Sequence, residues 1–393
     1  SKNPKLKRPG LASQNLEEIK QKRKKSSKGY LFFCSSAGEY EQAVPIMEEI
    51  EAREDAFIQI VFFSRSGLYF AQKIKEKRSF CLAPPDALWH WKKLFDAVRP
   101  NKVIVIRHEL WPSFLFEGQK FCPLVLVNVT ASHEKNTSFI KNKLNSYLFS
   151  YFEQVHCSSK ISQEFVLSLG HKNTVLSGDS KYEQALKRAQ TKKENLKLLS
   201  TLKNNRKPIL TIGSCWRKDV EITLDSTSSL KDKVFIIFVP HEPTPQNICD
   251  ILEQAKKHQL KAAVYSNCPL PENSNQIDLL VIDEVGVLGE VYHVTNFAFV
   301  GGGMHHKVHN VLEPFVHQIP VAFGPKYQNS QEACELINNH LATCATKKED
   351  FTKWIEASLQ NPLAKKDYQL FLNKKLGATK KIVDLVLNIE QKS

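Results

Sequence analysis

From residue 30 onward the chain alternates short, continuous apolar runs with longer amphipathic stretches. In the first half the runs are YLFFC (30–34), FIQIVFF (57–63), KVIVIR (102–107), LVLVN (124–128), QVHCS (154–158) and TVLSG (174–178). In the second half they are PILTIG (208–213), VFIIFVP (234–240), KAAVYS (261–266), DLLVID (278–283), NFAFVGG (296–302) and IPVAFG (319–324). They do not alternate strictly between apolar and polar, which is the pattern of parallel strands covered on both faces. Helical patterns such as SGLYFAQKIKEK and SKISQEFVLSLG lie between them, so βαβ units with right-handed crossovers are predicted in both halves.

A polar, Lys-rich stretch separates the halves. The predicted organisation is a basic tail (1–29), a first domain (30–185), a linker (186–206) and a second domain (207–393) that includes a C-terminal amphipathic helix. Two open, mainly parallel α/β sheets facing across a cleft would place ligands at the carboxyl ends of the strands.

With 393 residues, 42% hydrophobic and 24% charged, the chain can fill two cores. Its nine cysteines are odd in number and contain no C-x-x-C pair, which argues for reduced thiols and against a zinc knuckle. No apolar run approaches the ~20 residues of a membrane span. Because the chain starts at Ser1 and not Met, an upstream piece is expected to have been removed. The net charge of +14 is unevenly spread: residues 1–29 hold ten Lys or Arg against Glu17 and Glu18. Such a cluster favours anionic surfaces. No aromatic-interleaved basic motif accompanies it, so nucleic acid is not an expected partner.

The richest motif is FVGGGMHHKVHNVLEPF (299–315). A strand runs into Gly301, Gly302 and Gly303, and a helix is predicted to begin near His309–Asn310. Glycines allow close approach of a phosphate or sugar, and a helix start supplies N–H groups. Asn310 and Glu313 share one face of the first turn, where a carboxylate can hold a ribose diol. His305, His306 and His309 fit no common zinc spacing, and no metal is expected. Ser214 follows PILTIG and His241 follows VFIIFVP, so three strand ends of one domain converge. In the first half, Glu39 follows a small-residue turn between strand and helix, Glu109 stands beside Trp111-Pro112, and Lys181 follows TVLSG.

In their order and spacing, SSAGEYEQA, ELWPS, VNVT, GDSKYE, GSCW, VPHEP, IDEVGVLGEVY, FVGGGMHHKVHNVLEP and PVAFGP resemble the bacterial Kdo transferases (3-deoxy-D-manno-octulosonic-acid transferases). These are glycosyltransferases of the GT-B fold, with two Rossmann-like domains. The resemblance implies inverting transfer of Kdo from CMP-Kdo to a lipid A precursor in lipopolysaccharide biosynthesis. It implies neither metal nor cofactor, and a peripheral place on the cytoplasmic face of the bacterial inner membrane.

It further implies Glu39 as general base and Glu109 and Lys181 on the acceptor side. Ser214, His241, Gly301, Gly302, Gly303, Asn310 and Glu313 would lie on the donor side. A helix N-terminus lowers a carboxylate pKa, so Glu39 is expected to be ionised and a modest base. Where many members carry Arg-His, this chain has His241-Glu242. That departure keeps open another GT-B enzyme with a different nucleotide sugar, a UDP-sugar transferase or epimerase.

Overall fold

The computed structural model describes residues 13–131, 139–190, 202, 207–227, 230, 232–267, 277–360 and 365–389. The chain divides into one unit formed by 1–184 with 375–393 and a second formed by 185–374. The predicted linker lies mostly outside the described residues.

The first unit holds seven strands: β1 (Lys28–Cys34), β2 (Ala56–Phe62), β3 (Ser79–Leu82), β4 (Lys102–Ile106), β5 (Leu124–Val129), β6 (Gln154–Cys157) and β7 (Thr174–Leu176). They form one sheet in the order β3-β2-β1-β4-β5-β6-β7, and all pairings are parallel. Successive residues of β1 feed opposite faces. Leu31 and Phe33 pack with Trp91, Phe95 and Phe114, while Tyr30, Phe32 and Cys34 pack with Tyr40, Ile46 and Ile382. Both faces are apolar because both are covered by helices, which is why the run YLFFC lacks alternation.

The second unit repeats the plan with β8 (Ile209–Cys215), β9 (Phe235–Pro240), β10 (Ala262–Val264), β11 (Leu279–Val281), β12 (Phe297–Val300), β13 (Val321–Phe323) and β14 (Ala342–Cys344). Their order is β10-β11-β9-β8-β12-β13-β14, again with parallel pairing.

Each sheet reverses its winding direction once. In the first unit β1 lies between β2 and β4; in the second, β8 lies between β9 and β12. At such a switch the flanking loops leave in opposite directions and open a crevice at the carboxyl ends of the strands. Glu39 opens the helix after β1 and Glu109 follows β4; Ser214 stands at the tip of β8 and the triple glycine follows β12.

Three expectations are corrected. The last helix, Ala378–Asn388, belongs with the first unit and not the second. Ile382, Val383 and Val386 form its buried stripe against the Tyr30–Phe32 face, each worth about 1.5–3 kcal/mol of burial. Part of the basic segment is a helix, Ser13–Arg23. Its Arg23 donates to Val98 O at 3.0 Å and Ser26 O at 2.6 Å, and Ile19 is buried in the core. Strands β3 and β14 were not predicted. Both are short sheet edges, so SFCL and ATC carry only half of a central strand's burial signal. Among the described residues no helix is long and apolar enough to cross a membrane.

Candidate active site

In the first unit, Ser36 caps the helix Ala37–Arg53, its Oγ accepting from Glu39 N–H at 3.4 Å. Glu39 is the third residue of that helix, and its carboxylate turns back to accept the Ser35 N–H. This is close to a reciprocal capping box, and it pins the carboxylate at the end of β1. The pKa expectation is reversed here. Burial raises the Glu39 pKa above the ordinary carboxylate value; the Ser35 hydrogen bonds oppose this, Glu109 adds to it, and Arg107 opposes it. A raised pKa makes Glu39 a stronger base than a solvated helix-start carboxylate.

Glu109 follows β4 and is held by the Trp111 indole N–H at 2.8 Å. Arg107, at the tip of β4, has a left-handed backbone (φ 62°), as does Asn128 in β5 (φ 58°). That conformation is uncommon for a non-glycine residue and aims both side chains into the strand-end region. Arg107 Nε donates to Gln42 Oε1 at 2.7 Å. Asn128 donates to Ser180 Oγ at 2.7 Å, and that hydroxyl donates to Gln42 O at 2.6 Å. Asp179, 4% exposed, lies with Oδ2 3.6 Å from the Arg107 guanidinium and 3.5 Å from Lys181 Nζ. Lys181 is therefore tied into a polar network with Gln42, Arg107, Asn128 and Asp179. None of these four was singled out from sequence. The strand KVIVIR ending on a charged residue was the available signal.

In the second unit the triple-glycine loop is organised by Asp219, a fully buried carboxylate at the start of the helix Arg217–Thr227. It accepts from Trp216 N–H at 2.9 Å, Gly302 N–H at 2.8 Å and Met304 N–H at 3.4 Å. Gly301 N–H is bonded to Gly213 O at 2.8 Å. The amides expected to meet a phosphate are thus taken up within the protein at Gly301, Gly302 and Met304.

Close backbone contacts by themselves require glycine at all three positions. A Cβ on Gly301 would lie 2.5 Å from Ser214 O, one on Gly302 2.2 Å from Lys307 O, and one on Gly303 2.8 Å from Gly324 N. The protein's own backbone fills the space that a side chain would need at each of the three. Ser214 joins Arg107 and Asn128 in left-handed geometry (φ 53°) at a strand tip.

The expected helix near His309–Asn310 is only the four-residue turn Leu312–Phe315. Asn310 Oδ1 caps it through Leu312 N–H at 3.1 Å, and Asn310 Nδ2 reaches Glu313 Oε1 at 3.4 Å. Glu313 pairs with Arg188 at 3.5 Å; burial raises its pKa and Arg188 pulls the other way. It lines a pocket of about 660 Å³ with Arg188, Gly286, Gly289, His293 and His317. Beside the glycine loop, His241 stacks on His309 with centroids 4.1 Å apart, and Trp216 lies 4.9 Å from His241. Sequence reasoning nominated Ser214, His241, the glycines, Asn310 and Glu313; it missed Asp219, Trp216 as a site residue, and the part played by His309. Among the described residues no group of three or more His, Cys, Asp or Glu side chains could hold a metal ion.

Solved structures share this architecture. A UDP-N-acetylglucosamine 2-epimerase is 13% identical with a TM-score of 0.65, over 94% of this chain and 99% of that one. A glycosyltransferase from Rickettsia africae ESF-5 is 12% identical with a TM-score of 0.62, over 92% and 99%. The fold class is that of the GT-B enzymes, two α/β domains with parallel sheets. Residues 10–184 match the family profile described as 3-deoxy-D-manno-octulosonic-acid transferase (kdotransferase). A 3-deoxy-D-manno-octulosonic acid transferase of Rickettsia typhi is 26% identical over 365 residues, 91% of this chain and 78% of its own length. Residues 10–184 thus carry the Kdo transferase domain, and similarity to Kdo transferases extends over about nine-tenths of the chain.

Proposed function

We propose that the protein transfers Kdo from CMP-Kdo to a hydroxyl of a lipid A precursor, with inversion, at the cytoplasmic face of the bacterial inner membrane. The observation that carries this reading is the Glu39 carboxylate. It is fixed at the topological switch of the first sheet, desolvated, and set among Glu109 and Arg107. A base there removes the proton of the attacking hydroxyl as the bond to the anomeric carbon forms and cytidylate leaves. Lys181 and Glu109 border the acceptor; Ser214, His241, Gly301, Gly302, Gly303, Asn310 and Glu313 border the donor, with Glu313 on the ribose. The family implies no metal, so the charge of the leaving phosphate falls to protein N–H and cationic groups. The basic segment of residues 1–29 favours an anionic bilayer surface, at about 1 kcal/mol per basic residue close to it.

The alternative of a UDP-sugar enzyme draws on fold likeness at 12–13% identity and on His241-Glu242. Calorimetric titration with CMP and UMP, with CMP release from CMP-Kdo in the presence of lipid A precursor, separates the two. Cytidine preference with acceptor-dependent release is expected. Uridine preference, or release that does not depend on the acceptor, overturns the proposal.

A further inference from the structure

We infer that Trp216 fixes the tautomer of His309, so that His309 presents its Nδ1–H as a neutral donor to an anionic oxygen of the sugar-nucleotide donor. The inference rests on the donor-binding reading above and deepens it. The indole N–H of Trp216 points at His309 Nε2 at 3.0 Å. An indole nitrogen can only donate, so Nε2 must accept, and in a neutral ring the proton then sits on Nδ1.

The ring's orientation is over-determined. A Cβ on Gly302 would meet His309 Cδ2 at 2.8 Å and Nε2 at 3.0 Å, so that edge of the imidazole lies against the glycine loop. His309 N–H is anchored to Gly301 O at 3.1 Å, and His241 covers one ring face with its plane only 19° away. With the Nε2 edge against Gly302 and Trp216, and a face covered by His241, Nδ1 is left as the polar atom open to a ligand. The ring is half-buried, so it is partly shielded from water while still reachable. Burial, then His241 and Lys307, lowers its pKa to about 4, so the ring donates as an uncharged group at neutral pH.

Trp216 is therefore a positioning residue and His309 the group that touches the donor. An N–H fixed in place at no reorganisation cost is suited to charge that grows on a leaving phosphate. The same donor could serve the sugar carboxylate, since both offer an anionic oxygen.

The test begins with the signature that a purely structural tryptophan would not move. Imidazole ¹⁵N spectra at pH 7 should show the Nδ1–H tautomer in the wild type, and a shift toward Nε2–H in Trp216→Phe. An Nε2–H wild type overturns the inference without any activity measurement. For kinetics, an asparagine side-chain amide can place an N–H where the imidazole Nδ1–H stands, whereas a glutamine amide reaches the Nε2 position. His309→Gln should therefore lose ~10²-fold in kcat/KM and His309→Asn distinctly less. Trp216→Phe should cost ~10-fold or more alone and little in the His309→Asn background, where no tautomer needs fixing. Equal losses in both backgrounds refute the positioning role.

Separate titrations with CMP and with free Kdo assign the oxygen. Weakening of CMP alone by His309→Gln identifies the phosphate, and weakening of Kdo alone the carboxylate. Weakening of neither, in a protein that binds both, overturns the inference. If the wild type binds neither ligand, the ligand assignment falls together with the reading it rests on, and the spectra still decide the tautomer.

Discussion

Replacing Asp219 tests whether the glycine loop is held from inside. Its Oδ2 accepts two short bonds, 2.9 Å from Trp216 N and 2.8 Å from Gly302 N, and Oδ1 a longer one from Met304 N at 3.4 Å. Hydrogen bonds to a charged acceptor are worth roughly 1.5–3 kcal/mol each. Asp219→Ala therefore removes about 3–6 kcal/mol from the two short bonds and leaves buried N–H groups unpaired. Asp219→Asn can keep an oxygen at the Oδ2 position, so it should lose about half as much, because neutral bonds are roughly half as strong.

Native-state hydrogen exchange reads this locally. The amides of Trp216, Gly302 and Met304 should exchange ~10²-fold faster or more in Asp219→Ala, at about 1.4 kcal/mol per tenfold. Amides of β1 and β4 should not change. Unaltered protection at Gly302 with the alanine in place would refute the reasoning, since among the described residues no other acceptor holds that N–H.

Other perturbations follow from the same geometry. Gly302→Ala places a methyl 2.2 Å from Lys307 O at φ +90°, so a loss of about 2–4 kcal/mol is expected in calorimetric unfolding; an unchanged Tm contradicts it. Glu109 is among the causes that raise the Glu39 pKa, and the base must be ionised to act. Glu109→Gln should therefore move the acid limb of the kcat/KM profile to lower pH; a limb that stays or rises contradicts the coupling. His156, His309 and His317 are each held to about 4 from an ordinary 6.5, chiefly by burial. Between those values the unfolded chain binds protons that the folded chain does not, so urea midpoints should fall as pH drops through that window. A flat profile there would contradict neutral burial. Arg23→Ala removes bonds to Val98 O and Ser26 O and should lower the stability of the first unit by about 1–2 kcal/mol in denaturant titration.

Much of the architecture was legible in the sequence because a doubly covered strand advertises itself. YLFFC and VFIIFVP are apolar without alternation, and all twelve predicted runs coincide with strands. Of the four edge strands, TVL and AAV were legible, while SFCL and ATC were not. The last helix was legible as amphipathic, but its partner was not: Ile382 and Val386 state that a face is buried, not which sheet buries it.

At the site, the positions of Glu39, Glu109, Ser214, His241 and the glycines at strand ends were readable from the break between apolar run and turn. Their local chemistry was less so. The Glu39 pKa was expected low from its helix start, but burial outweighs that influence. The glycines suggested a ligand's approach, and what the pattern did not announce is that Ser214 O, Lys307 O and Gly324 N occupy the space that side chains would need there. Asp219 was not singled out, because nothing in RKDVEITL announces amides arriving from residues 302 and 304.

The central claim is that the Glu39 carboxylate takes the acceptor proton in Kdo transfer. Its most direct test is single-turnover kinetics of Glu39→Gln against the wild type, with CMP-Kdo and the lipid A precursor, alongside calorimetric donor affinity. The account predicts a rate lower by ~10²–10⁴-fold with CMP-Kdo affinity retained. A variant that turns over at the wild-type rate would contradict it.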